Sequence, residues 1–443
     1  MEKEFDNPSS AEIRYAGDVN IEKVEIYSMA SGASFDIKNQ VLAIQIYEDL
    51  FAPFITGSLI IKDSLDLVNK LPYGGQEYLS LKVFTPTMDV SAPETGVIQG
   101  NFYVYKITER EYVAEKSVVY QIHFISTEAV VDLNLAPSRQ FSGKISDIVG
   151  SLMKDDNFIG TEKILTVETT KNETKFISNF WSPLKCINYL LQQATNPNGS
   201  TTYVFFENRA GFNFVSLDYL NEKEVHQVFV QGTTTNDVNK KGGSTRVLDR
   251  DFSKILEINV PNAFDYIDRV RHGTYASKLT VHDLTTKRYK TVHYDYLKKF
   301  LEGKEARLNQ FPITTDLVAA NINAMGIVSE TANQLFTGFG IVDTTRAIQD
   351  RISRMKQAES FKIRIKVKGR TDYTVGQVVY LDINTASPTQ SDDTPEELKD
   401  KMFSGNYLIA AINHYIDKEN GHECHMEVIK DSLIFDLATG KTS

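Results

Sequence analysis

The stretch FKIRIKVK, Phe361 to Lys368, puts Phe361, Ile363, Ile365 and Val367 on one side of an extended chain and Lys362, Arg364, Lys366 and Lys368 on the other. A period of two is the signature of a half-buried strand, and no helix buries one face with it. GRTDYTVGQVVYLDIN follows with a glycine-punctuated turn and a second apolar run. After a polar loop, GNYLIAAINHYIDKENGHECHMEVIKD supplies two more strands around a turn at Glu419, Asn420 and Gly421. Residues 361–431 therefore read as a compact antiparallel β-unit.

An earlier stretch carries the same pattern. Gly75-Gln76 matches Gly376-Gln377 at an offset of 301 (376 − 75), and Gly100-Asn101-Phe102 matches Gly405-Asn406-Tyr407 at 305 (405 − 100). The two offsets nearly agree and the strand spacing is shared, so the chain reads as carrying a duplicated β-domain. Each copy is interrupted before its Gly-Asn step by a loop rich in Pro, Ser and Thr: PTMDVSAPETGVIQ in the first, TASPTQSDDTPEELKDKMFS in the second.

At 443 residues the chain is too long for one ordinary core. The expected class is α+β, mainly antiparallel β, with two tube-like β-barrel domains and helical and mixed α/β domains between them. The expected divisions are an N-terminal arm (1–38), a first barrel (39–135), a mixed α/β middle domain (136–250), a second mixed segment (251–342), a second barrel (343–435) and a tail (436–443). In the first barrel, Leu42, Ile44 and Ile46 alternate with Ala43, Gln45 and Tyr47. Ser142 is expected to cap a helix bearing Ile145, Ile148, Val149 and Leu152, and Ser182 to cap a second, with Pro183 in its first turn. A hairpin is expected across YVFFENRAGFNFVSLDYL, with its turn at Asn208 to Gly211. Residues 232–250 read as a surface loop. A helix is expected over Asp316 to Asn333, and another capped by Asp343, with Ile348, Ile352 and Met355 on its apolar side.

A formal net charge of −10 argues against tight binding to a phosphate backbone, which needs clustered cations. Only Cys186 and Cys424 are present, so no disulfide framework is expected, and Cys186 reads as a buried thiol. No apolar run of 18 residues occurs, and neither a signal peptide nor a membrane span is expected.

Catalytic and cofactor motifs fail in turn. Gly440-Lys-Thr442 lacks the first glycine of a phosphate loop, and Gly338 and Gly340 lack a third glycine. No GxSxG is present. The acidic run from Asp392 to Asp400 reads as a solvated loop. His414, His422, Cys424 and His425 invite a metal, but alternation puts Cys424 with Met426 and Val428 and His425 on the opposite face, so these ligands are expected to diverge. No catalytic, cofactor or metal residue is assigned. The stripe Lys362, Arg364, Lys366, Lys368 has two readings: a solvent face paired with acidic neighbours, or a surface that meets an acidic partner or another copy of the chain. Both stay open, and these four residues with Gln45 and Tyr47 are the candidate interface.

Three stretches, ITGSLIIKDSLDLVNKLPYGGQEYLSLKVF, FWSPLKCINYLLQQA with FFENRAGFNFVSLDYL, and VGQVVYLDIN with SGNYLIAAINHYID, resemble the baseplate central hub proteins of contractile-tailed, T-even-like phages, related to the hub part of type VI secretion spike proteins. Phe206-Glu207-Asn208-Arg209 is the most distinctive match. The resemblance implies a non-enzymatic homotrimer in the virion tail, assembled in the host cytoplasm, whose duplicated barrels make a ring of six. That ring would join a hexameric tail tube to a trimeric spike, adjoin neighbouring baseplate proteins, and pass DNA through an acidic lumen without specific binding. In this reading the barrels' edge strands pair across subunits, and the loop 385–404 touches a neighbouring baseplate protein. The other classes weighed are a β-rich glycan-binding virion protein and a tail-associated glycan hydrolase, for which no motif is present.

Overall fold

The computed structural model describes residues 13, 15–29, 31–64, 67–70, 74–86, 96–114, 117–232, 251–283, 287–315, 326–331, 344–385, 399–418 and 420–440. Strands β1 (Asn20–Ser28), β2 (Ser34–Asp36), β3 (Val41–Asp49), β4 (Thr56–Asp63), β5 (Glu77–Phe84), β6 (Val97–Ala114) and β7 (Ser117–Ser126) form the first barrel-like unit. Strands β8 (Arg139–Lys144), β9 (Ile164–Val167), β10 (Glu173–Ser178), β11 (Tyr203–Asn208) and β12 (Gly211–Ser216) belong to the middle domain. They are followed by β13 (Val225–Val230), β14 (Ile255–Ala263), β15 (Ala276–Asp283), β16 (Arg288–Asp295) and β17 (Gly326–Thr331). The last four are β18 (Phe361–Lys368), β19 (Val378–Asp382), β20 (Gly405–Asp417) and β21 (Gly421–Lys430).

Both units share one hydrogen-bonded sheet. The first runs β3-β4-β7-β6-β5-β1 and the second β14-β18-β21-β20-β19-β13, the same order position by position. The duplication is thus visible in topology, with one departure: β1 meets β5 antiparallel, whereas β13 meets β19 parallel. Alternation builds each core. Val24, Ile26, Ile44, Ile46, Leu59, Ile61, Leu79 and Ile122 fill the first, and Ile363, Ile365, Val367, Val379, Ile412, Met426 and Val428 fill the second. Strand β20 serves both units. Its start pairs with β19 (Leu408 with Val378), a bulge falls between Ile409 and Ala411, and its far half pairs with β3, from Ala411 with Asp49 to Asp417 with Ala43.

The middle domain packs the helix Ile145–Lys154 and the helix Pro183–Leu191 on the β9-β12-β11 sheet over a core that includes Cys186, Phe205, Phe212 and Phe214. Ser182 accepts from the Lys185 amide, as its capping position requires. Four expectations need correction. Ser142 is no cap: residues 139–144 pair with β10 as a strand, and the chain passes straight into the helix, where the Ser146 amide is met by Thr170 instead. Residues 326–331 form a strand parallel to β15, because GIVSET has β-branched residues and an open partner edge. In the helix Thr344–Ala358 the buried side is polar: Gln349, Asp350, Ser353, Arg354 and Gln357 are covered, while Ile348, Ile352 and Met355 are only half-buried. Neither unit keeps its expected bounds: β1 and β2, from within the expected arm 1–38, join the first, and β13 and β14, from before residue 343, join the second. Residues 233–250 and 386–398, which include most of the two expected loops, and the expected cap Asp343 lie outside the described residues.

Candidate assembly interface

All six candidate residues fall on one face. Lys362, Arg364, Lys366 and Lys368 project from β18 away from the second core, and Gln45 and Tyr47 project from β3 away from the first. Because β18, β21, β20 and β3 are consecutive, this face is continuous across the two units. Tyr47, Arg364 and Lys366 line a groove of about 480 Å³ together with Asn413, His425 and Glu427.

The basic stripe is paired along its length. Lys362 Nζ lies 2.7 Å and Arg364 Nε 3.0 Å from Glu427, and Lys366 and Lys368 lie 2.8 and 3.3 Å from Glu423. Both acids stand on β21, where cross-strand register puts Glu427 opposite Arg364 and Glu423 opposite Lys368. Burial pushes the Glu423 and Glu427 carboxyls up, but hydrogen bonds from their two basic neighbours outweigh it and hold both below the usual range. Burial also lowers His425, with Lys366 adding to it.

Gln45 and Tyr47 are not on an edge strand. β3 is flanked by β4 and by β20 of the same chain, Tyr47 facing Asn413 and Gln45 facing Tyr415. Open edges lie elsewhere. Among the described residues β14 pairs only with β18, and β6 pairs with β5 only over Val97–Val104, so residues 105–114 have no strand neighbour on that side.

The Phe206-Glu207-Asn208-Arg209 segment joins three bodies. Glu207, buried, accepts from the Ile55 amide (3.0 Å) and the Ser126 hydroxyl (2.5 Å) of the first unit and pairs with Lys163 (2.7 Å), which also holds Glu128. Burial pushes the Glu207 carboxyl up, against the opposing pull of Lys163. The Arg209 amide donates to Glu48 of β3 (3.0 Å), whose other oxygen accepts from the Thr374 hydroxyl (2.5 Å) and the Val375 amide (3.1 Å) of the second unit. Sequence reasoning passed over Glu48, although its parity with Ile44 and Ile46 puts it on the core side.

Comparison with known proteins bears on this architecture. No family model matches the chain. The "Probable baseplate hub protein gp334" of Vibrio phage KVP40 is 23% identical over 436 residues, covering 94% of this chain and 95% of that protein. The chain is thus similar over nearly its whole length to a probable phage baseplate hub protein. Its fold is shared with solved tail proteins. The tail protein from Neisseria meningitidis MC58 superposes with a TM-score of 0.54 at 9% identity, over 94% of this chain and 97% of that one. The 43 kDa tail protein of prophage MuSo2 from Shewanella oneidensis gives 0.50 at 12% identity, over 93% and 98%. Among the described residues, no helix is long and apolar enough to cross a membrane.

One expectation about chemistry fails. His425 does face away from the core, but His414, His422 and Cys424 converge, their ligand atoms all within 4.8 Å of one another. Alternation along β21 separates only His425 from this group; on the neighbouring strand β20, His414 stands directly opposite Cys424.

Proposed function

We propose that this chain is a structural baseplate hub, a homotrimer whose six barrel-like units form a pseudo-sixfold ring between a hexameric tail tube and a trimeric spike, with a channel for DNA. The observation that carries it is the β20–β3 junction. Within one chain, the far half of β20 in the second unit pairs with the leading strand of the first. The equivalent far half in the first unit is β6 beyond residue 104, and the equivalent leading strand in the second is β14; both edges are open among the described residues. Repeating the same junction between chains, β6 of one against β14 of the next, satisfies both edges. Eight strands per chain, β14-β18-β21-β20-β3-β4-β7-β6, then close at 8 × 3 = 24 around a threefold axis.

The face bearing the candidate residues lines the channel in this arrangement. Its cations are shared rather than free: Glu427 pairs with Lys362 and Arg364, Glu423 with Lys366 and Lys368, and Glu257 stands 3.9 Å from Lys366. Paired cations release few counterions from a passing duplex, so DNA is not held. The whole-length similarity to a hub protein and the shared tail-protein fold support a structural part over a catalytic one. The test is strand-specific crosslinking. Thr108 corresponds to Asn413 at the offset of 305, and Asn262 faces Lys362 as Tyr47 faces Thr56. Thr108→Cys combined with Asn262→Cys should give covalent trimers on oxidation; a chain that stays monomeric on denaturing gels would overturn the proposed junction.

A further inference from the structure

Behind the channel face, at the end of the second unit, His414 Nδ1 and His422 Nε2 lie 3.0 Å apart, and Cys424 Sγ lies 3.4 and 3.5 Å from them. All three side chains are fully buried. Strand geometry produces the cluster. His414 on β20 is the direct partner of Cys424 on β21, and His422, two residues before Cys424, lies on the same core face diagonal to His414.

We propose that His414, His422 and Cys424 form a binding site for one Zn²⁺ ion per chain. The donor triangle has the size of one face of a zinc tetrahedron. Bond lengths of about 2.0 Å to nitrogen and 2.3 Å to sulfur place two nitrogens about 3.3 Å apart and nitrogen and sulfur about 3.5 Å apart. The mixed imidazole and thiolate set suits a borderline-soft cation and not Mg²⁺ or Ca²⁺, which take oxygen ligands.

The surroundings hold the donors ready. The His422 ring lies so close to Gly369 that a Cβ there would collide with it, and the backbone on either side is fixed by Gly369 N–H to His422 O and His422 N–H to Gly17 O, each 2.8 Å. Little ring movement is then needed for ligation. The Arg370 amide is directed at the Cys424 sulfur and favours its thiolate, and Asp372, Glu48 and Glu423 supply negative charge nearby, against Arg209 near His414. Both imidazoles are fully buried and meet each other nitrogen to nitrogen, and the neutral ring is the form that binds metal. Cys424 binds as the thiolate, so its proton must leave as the ion enters. In the binding step the S–H bond breaks and its proton passes to solvent, the proton between His414 Nδ1 and His422 Nε2 moves to the other nitrogen of the ring that carries it, and one S–Zn and two N–Zn bonds form, leaving a net charge of +1 on the ion and its three protein donors.

A site this buried fills as the chain folds, so the test loads it then. The full chain is unfolded in denaturant with chelator, refolded with and without Zn²⁺, desalted, and analysed for metal and thermal midpoint; Co²⁺ replaces Zn²⁺ in a parallel sample. We expect one zinc per chain, a higher midpoint with zinc, and a thiolate-to-cobalt charge-transfer band that Cys424→Ser abolishes while keeping the native circular dichroism. If refolding fails, protein expressed with and without zinc in the medium is analysed directly for the same stoichiometry. Folded wild-type protein that retains no zinc and melts identically in zinc and in chelator would overturn the site and leave a hydrogen-bonded core trio. Zinc retained equally by Cys424→Ser, or retention of copper but not zinc, would overturn the assignment as well.

Discussion

Glu48 offers the sharpest check on how the two units are held together. Its side chain is buried beneath β3 and receives the Arg209 amide at 3.0 Å, the Val375 amide at 3.1 Å and the Thr374 hydroxyl at 2.5 Å. Glu48→Ala removes the acceptor for all three. The hydroxyl can turn to another partner, but the two backbone N–H groups cannot, and a buried donor left unmet costs about 1–3 kcal/mol. Two of them put the loss at about 2–6 kcal/mol. Glu48→Gln keeps one acceptor oxygen and should lose about half as much. The pH dependence follows from the carboxyl itself. Burial raises it above its ordinary value, only partly opposed by the Thr374, Val375 and Arg209 contacts. A carboxyl raised on folding contributes stability that is fully present below its unfolded pKa and lost as pH rises through the folded one. The gap between wild type and Glu48→Gln should therefore be wider at pH 5 than at pH 8. Urea denaturation followed by circular dichroism, with hydrogen exchange at the β3 and Val375 amides, measures both. Glu48→Ala within about 0.5 kcal/mol of wild type, or a Gln gap that widens toward pH 8, would refute the reasoning.

Other perturbations test separate parts. Gly211 begins β12 at φ +140°, and a Cβ there would collide with the Ile164 backbone; Gly211→Ala should cost about 3 kcal/mol or more, combining strain and overpacking, seen as a lower thermal midpoint or insoluble protein. Glu427→Gln should cost at most about 1 kcal/mol at pH 7, as expected of a partly exposed pair. Because Lys362 and Arg364 hold that carboxyl below its ordinary value despite burial, its contribution is present above the unfolded pKa and is lost as pH falls through the folded one, so the cost should shrink in melts near pH 3.5. Glu207→Ala leaves Lys163 with Glu128 alone and strips acceptors from Ile55 and Ser126, which should cost about 3–5 kcal/mol and release the middle domain first in limited proteolysis.

Much of the sheet was legible because alternation is local. Phe361 to Lys368 reads as a strand in any context, and the Gly-Gln and Gly-Asn steps mark matching positions in the two units. The tight turn after Asn208 and the Ser182-Pro183 helix start were legible for the same reason. What escaped depends on distant partners. Ser142 looks like a cap until β10 claims its strand, and Gly326 to Thr331 lies in a stretch read as helix until β15 supplies an edge. The polar buried side of the helix Thr344–Ala358 is set by Arg354 meeting Asp218 at 2.6 Å and Glu305 at 3.3 Å, residues far away in sequence. The candidate face was half legible. Outward parity named Lys362, Arg364, Lys366, Lys368, Gln45 and Tyr47, but only the pairing of β20 with β3 shows that two separate units present them together. The His414–Cys424 pairing needed the register of two strands, which parity along one strand cannot supply.

The central claim is that open edges on β6 and β14 close three chains into a ring. Light scattering of the purified protein, alone and with the trimeric spike proposed as its partner, measures this most directly. The account predicts a mass near three times 50.0 kDa, either alone or in the complex once the spike's own mass is subtracted. A chain that remains at 50.0 kDa under both conditions contradicts it.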